Sequence, residues 1–169
     1  NQIFNAYLVW GDRAFALRWG GTVLPTTWLI TLDAIVSVSL LALVALFYRW
    51  YGSRWREPDE LSKMIIGSAF SMGGMACLYM AAVTVPEGGK IGLFWPIMFH
   101  VVNSIAFAHI LPVSLALFSR LAPKQINATV IGLYYLAFFG GNTLVGVVGT
   151  WFEAMPPARF WLLHMGFAA

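Results

Sequence analysis

Charged residues are scarce in this sequence: seven acids and ten bases among 169 residues. A water-soluble domain covers its surface with about 25% charged residues, and the 10% found here is too little for that. Cysteine is nearly absent as well. Cys77 stands alone inside an apolar block, which excludes an internal disulfide framework. No run of like charges is long enough to grip a nucleic acid, and the net charge is only +3. Asn1 to Trp10 lack the basic start and small-residue cleavage site of a signal peptide. A nucleophile elbow, a phosphate-cradling loop, zinc-ligand spacing and a pair of intramembrane carboxylates are all missing, so the sequence offers nothing to an enzyme, a metal or a cofactor.

What the sequence has instead is hydrophobic residues, 60% of the total, with a mean hydropathy of +0.75. They come in long blocks, without strand-like alternation or a narrow helical stripe. Four blocks are long enough to cross about 30 Å of hydrocarbon at about 1.5 Å per residue: residues 26–48, 64–85, 93–118 and 128–151. Residues 1–10 read as the tail of a further span and 160–169 as the start of another, so both end segments are expected to be truncated. The predicted class is an all-α membrane protein of six segments, with residues 1–169 forming one transmembrane half-domain.

The connections suggest an orientation. Arg49, Arg54, Arg56 and Lys63 follow the first full span, and Arg120 and Lys124 follow the third, which is six of the ten bases. Positive charge favours the cytoplasmic side in short loops, so these two loops are expected inside. Trp50, Tyr51, Trp55, Trp95 and Trp151 near span ends suit the aromatic belts of a bilayer. Small pairs such as Gly67 with Ser71 and Gly73 with Cys77 read as close helix packing.

Polar groups at membrane depth are the candidates for function, because each is expensive there. Asp33 lies about a third of the way into the first full span. An aspartate at a helix centre costs about 2.5–3.5 kcal/mol on insertion scales. It is either a working acid or a structural one paired with a neighbour, and Ser37, four residues on, is a candidate partner. In the third span His100, Asn103, Ser104 and Phe107 share one face, while His109 falls on the opposite face. The two histidines therefore cannot clamp one metal from this helix. The polar stripe lines a cavity or forms interhelical hydrogen bonds; the spacing allows both. Tyr134, Tyr135 and Asn142 in the fourth span could line the same cavity or simply pack, and Tyr135 and Asn142 share a face.

The order of short motifs resembles the C-terminal half of the proton-dependent oligopeptide transporters, a branch of the major facilitator superfamily. Asn1-Gln2 and Trp10-Gly11-Asp12-Arg13 look like the two ends of that family's seventh helix, and Pro25 to Ala34 resembles its eighth. Glu57-Pro58 with Lys63 and Gly67 matches the start of the ninth. Pro112 to Leu115 and Leu121-Ala122-Pro123-Lys124 match the tenth, and Gly132 to Leu136 with Gly141-Asn142 the eleventh. The resemblance implies helices seven to twelve of a major facilitator fold and proton-coupled symport of small peptides or a related small polar solute. It also implies where the site departs from the family. Phe107 stands at the family's tenth-helix glutamate, Asn1 at its seventh-helix glutamate, Asp33 at an eighth-helix asparagine and Tyr134 at an eleventh-helix tryptophan. Asp33 is then the expected charged contact, with Asn1, His100, Asn103, Phe107, Tyr134, Tyr135 and Asn142 around the substrate or proton site. The implied partners are the lipid bilayer, protons, the solute or peptide, and the N-terminal half of the same transporter, with no cofactor and no nucleic acid. The implied location is a bacterial inner (plasma) membrane, crossed several times. The alternative is a non-transporting scaffold or receptor on the same fold.

The orientation is directly testable. With Cys77→Ala as background, cysteines placed at Ser53 and Gly88 should differ in intact cells: an impermeant thiol reagent labels position 88 and spares 53. The reverse pattern inverts the topology.

Overall fold

A computed structural model describes residues 3–85 and 88–169. Among the described residues six α-helices follow in order: α1 (Ala6–Ala14), α2 (Trp28–Gly52), α3 (Glu60–Thr84), α4 (Phe94–Leu121), α5 (Asn127–Gly149) and α6 (Pro157–Ala168). A 3-10 turn, Thr150–Ala154, continues α5. A two-stranded hairpin, β1 (Arg18–Trp19) and β2 (Thr22–Val23), lies between α1 and α2, with Arg18 opposite Val23 and Trp19 opposite Thr22. The hairpin was not anticipated. Its signal was Gly20-Gly21, whose φ values of 55° and 88° give the left-handed pair that a tight two-residue connection demands.

Among the described residues four helical segments are long and apolar enough to cross a membrane: α2, α3, α4 and α5 with its turn. At about 1.5 Å per residue the 25 residues of α2 reach about 37 Å. Their ends differ from the hydropathy blocks for local reasons. The α3 helix starts at Glu60, four residues before the apolar block, because the Asp59 carboxylate accepts the Ser62 N–H at 2.8 Å and caps the first turn. That bond holds the Asp59 carboxyl below its ordinary range. A lowered folded value means the cap contributes above the unfolded value and is lost as pH falls through the folded one. The fourth block ends earlier than its hydropathy suggested, because Trp151 sits in the 3-10 turn. Pro112 lies inside α4 without ending it.

The centre of the bundle is α4. Asp33 of α2 meets His100, and Ser37 meets Ser104, so a step of four on one helix matches a step of four on the other. The two helices therefore run in the same direction. On α3, Gly67 faces Ala106, His109 and Ile110, whereas Gly74 faces Asn103, so α3 runs antiparallel to α4. The apolar core gathers toward the hairpin end, where Tyr7, Trp10, Phe15, Leu29, Leu78, Phe99, Phe160 and Trp161 are buried together. Polar bonds tie the connections at this end. Arg13 donates to Glu153 at 2.9 Å, Lys90 donates to the Arg13 carbonyl at 2.7 Å, and Thr26 donates to Asp12. The opposite end carries the ion pairs Lys63–Glu57 and Arg120–Glu60. No residue of α5 is buried.

Gly88 has a φ of 80°, so a side chain there is strained, and Gly89 is the better place for the outer labelling probe. The tightest helix contact gives a second test. A Cβ on Gly67 would lie 2.6 Å from Ile110 Cγ1 and 3.0 Å from His109 Cβ, whereas one on Gly140 of α5 meets nothing within 4 Å. Overpacking of this kind costs about 1–3 kcal/mol. Gly67→Ala should lower the melting temperature of the detergent-solubilised full-length protein, and Gly140→Ala should leave it level or raise it. Equal melting temperatures would show that the α3–α4 seam has slack.

Candidate functional site

Three helices converge on His100. It is fully buried on α4, and both ring nitrogens are engaged. Nδ1 lies 3.0 Å from Asp33 Oδ1 on α2, and Nε2 lies 2.9 Å from the Tyr7 hydroxyl on α1. Tyr7 is itself buried, packed edge-on to the imidazole and against Phe99, with ring centroids 5.3 Å and 4.9 Å away. Asp33 is the open member of the chain, with 17% of its side chain exposed. An ionised carboxylate accepts hydrogen bonds and cannot donate. In the neutral ring Nδ1–H therefore donates to Asp33, and Nε2 accepts the Tyr7 O–H.

The structure corrects the partner expected for Asp33. Ser37 does share its helix face, but its hydroxyl bonds Ser104 at 2.9 Å across the α2–α4 seam. The acid instead takes a residue 67 positions away, which helical spacing on one segment cannot show. Tyr7 was missed altogether. The available signal was a tyrosine inside a segment otherwise read only as a truncated tail.

The polar stripe of α4 divides. His100 and Ser104 turn toward α2, whereas Asn103 backs onto Gly74 of α3 and opens into a cavity of about 650 Å³. Phe107, Phe138, Val145, His164 and Phe167 also line that cavity, so its wall is mostly apolar. On the opposite face of α4, His109 is buried and closed by two bonds: Nδ1 donates to the Ile105 carbonyl at 2.8 Å, and Nε2 meets the Tyr48 hydroxyl at 3.0 Å. Lys63 sits over the Tyr48 ring at 4.5 Å.

The α5 residues form a separate group. Tyr134 bonds Ser114 of α4 at 2.7 Å and lines a second cavity of about 650 Å³ together with Asn142. Tyr135 is 56% exposed and lines neither cavity. Asn142 thus joins Tyr134, although Tyr135 was the residue expected on its face. Asn1 lies outside the described residues. The expected site residues accordingly fall into three places: Asp33 with His100, Asn103 with Phe107, and Tyr134 with Asn142. Among the described residues no cluster of three or more His, Cys, Asp or Glu could hold a metal ion.

Comparison with known proteins is informative over nearly the whole chain. A model of the POT family matches residues 1–162. The curated peptide transporter YePEPT of Yersinia enterocolitica is 25% identical over 131 residues, which is 76% of this chain and 26% of that protein. A crystal structure of a mutant peptide transporter POT in complex with alafosfalin superposes with a TM-score of 0.81 at 18% identity, covering 96% of this chain and 33% of that one. The chain therefore spans about a quarter to a third of the length of the proteins it matches.

Proposed function

Because the chain belongs to the POT family, we propose that it supplies helices seven to twelve of a proton-coupled symporter for small peptides or a related small polar solute. The N-terminal half of the same transporter is the implied partner. Substrate sites in such two-halved folds lie near the bilayer midplane between the halves, so these helices form one wall. The reading is carried by Asp33. It is a carboxylate inside a spanning helix, partnered by an imidazole and open on one side. An acid so placed suits a group that exchanges a proton or meets a cationic substrate end.

The tenth-helix position where the resembling family carries an acid is Phe107, which here faces a largely apolar cavity. That observation favours the second reading, a scaffold or receptor that no longer transports. One experiment separates the two. The full-length protein in proteoliposomes should accumulate a radiolabelled alanine dipeptide under an inward proton gradient, and a protonophore should abolish this. Asp33→Asn should cut the gradient-driven rate roughly ten- to hundredfold, the worth of a charge-assisted hydrogen bond. Binding of the dipeptide without any accumulation would favour the receptor.

A further inference from the structure

We propose that the proton of this half is carried by His100, and that Tyr7 reports its arrival to α1. The inference rests on the transporter reading for its purpose and on the geometry of three side chains for its content. Asp33 accepts from Nδ1, Tyr7 donates to Nε2, and the imidazole between them has no contact with solvent.

The neutral arrangement pairs both ring nitrogens and the Tyr7 hydroxyl hydrogen. Asp33 accepts the Nδ1–H, and Nε2 offers its lone pair to the Tyr7 O–H. A proton delivered by hydronium, whose O–H bond breaks to leave water, can bind at one place on the ring, the Nε2 lone pair, where the new N–H bond forms. The product is an imidazolium beside a carboxylate, which Asp33 favours. Tyr7 then has to turn from donor to acceptor. Its own hydroxyl hydrogen is left without a partner among the described residues, in a site closed to water. Asp33 stabilises the protonated ring by its charge, and the Tyr7 oxygen, placed to accept the new Nε2–H, stabilises it by a charge-assisted bond. A proton on His100 reverses the side-chain hydrogen bond between α1 and α4 at this point and turns the Tyr7 hydroxyl hydrogen away from the ring.

Among the described residues Asp33 is the charged group that pairs with the ring. From α1 the titratable group is Tyr7, and from α2 it is Asp33. The charged residues of α3 are Glu60 and Lys63, both in its first turn, where they pair with Arg120 and Glu57. Its Cys77 and Tyr79 pack against the apolar core. On α5, Tyr134 is committed to Ser114. His109 cannot substitute for His100, since its Nδ1 is held by a backbone carbonyl with no carboxylate beside it.

The test uses the full-length protein and two readouts. Nitrogen-15 spectra of histidine-labelled protein, assigned by loss of a signal in His100→Gln, should show a ring carrying hydrogen on Nδ1 at high pH that gains a second N–H on acidification. In Tyr7→Phe and in Asp33→Asn alike this transition should move to lower pH, each by about half a unit to one unit, a three- to tenfold change in proton affinity, because one variant removes the acceptor of the imidazolium Nε2–H and the other the charge beside Nδ1. In proteoliposomes, His100→Gln should lose gradient-driven dipeptide uptake while keeping exchange of labelled for unlabelled dipeptide. A merely structural ring predicts neither the two downward shifts nor the split between uptake and exchange. An upward shift in either variant, or no shift, overturns the proposal even if the protein transports. Downward shifts in both variants of a protein that shows neither uptake nor exchange uphold the proton site and overturn the transporter reading instead.

Discussion

An acid carried into hydrocarbon must find a partner there, and the arrangement of the bundle follows from how Asp33 does so. Hydrocarbon offers no hydrogen bonds, so the carboxylate is tolerable only where another helix supplies them. The imidazole of His100 is that supply, at 3.0 Å. Meeting it fixes the register of α2 on α4, and one helical step later the same register lets Ser37 and Ser104 satisfy each other. The ring's remaining nitrogen recruits Tyr7 and so draws α1 against the same spot. Three helices are located by one chain of two hydrogen bonds, whose partners lie 93 and 67 residues apart.

On its other flank α4 is placed by shape. Gly67 and Gly74 allow α3 to approach so closely that Asn103, Ala106 and His109 stand almost against its backbone. Small residues serve this purpose in membrane helices, where lipid tails compete with apolar side chains on equal terms and close packing has to supply the attraction. One helix is therefore held by polar complementarity on one side and by steric fit on the other. The outer helix α5 has neither in quantity. Its side-chain bonds to α4 come from Tyr134, to Ser114, and from Asn127 at its first turn, to Ser119, and it buries no residue among those described. The two cavities open along it.

How much of this could be read from residues alone depends on the range of each interaction. Spans are legible because the cost of exposing polar groups to lipid acts on every residue locally, so the hydropathy blocks and the observed helices differ by only a few residues at most ends. The differences that remain are capping effects, such as Asp59 drawing α3 back to Glu60. Asp33 was recognisable as costly by the same local rule. Its partner was not, because a separation of 67 residues is set by packing of whole helices, which no periodicity within α2 or α4 encodes. The face shared by His100, Asn103, Ser104 and Phe107 was legible as a face. Its division between a hydrogen-bonded seam and a cavity wall depends on which neighbour covers each edge. The Gly20-Gly21 turn was readable and was overlooked beside the much stronger helical signal.

The two buried histidines of α4 show why burial alone says little about function. Both are nearly inaccessible, and each meets a tyrosine hydroxyl within 3.0 Å. What separates them is the group on Nδ1. A backbone carbonyl within its own helix holds His109, so its bond is part of the local helix surface and asks nothing of the bundle. A carboxylate on another helix holds His100, and a carboxylate has a charge that a second proton on the ring can neutralise. A carbonyl acceptor therefore fixes a ring's position, whereas a carboxylate acceptor also makes the two protonation states differ in charge balance. The α2–α4 seam has the second kind at one end and, nine residues further along α4, the first kind at the other. A proton that settles at the Asp33 end would then change the bond to α1 and leave the His109 end, with Tyr48 and Lys63, as it was.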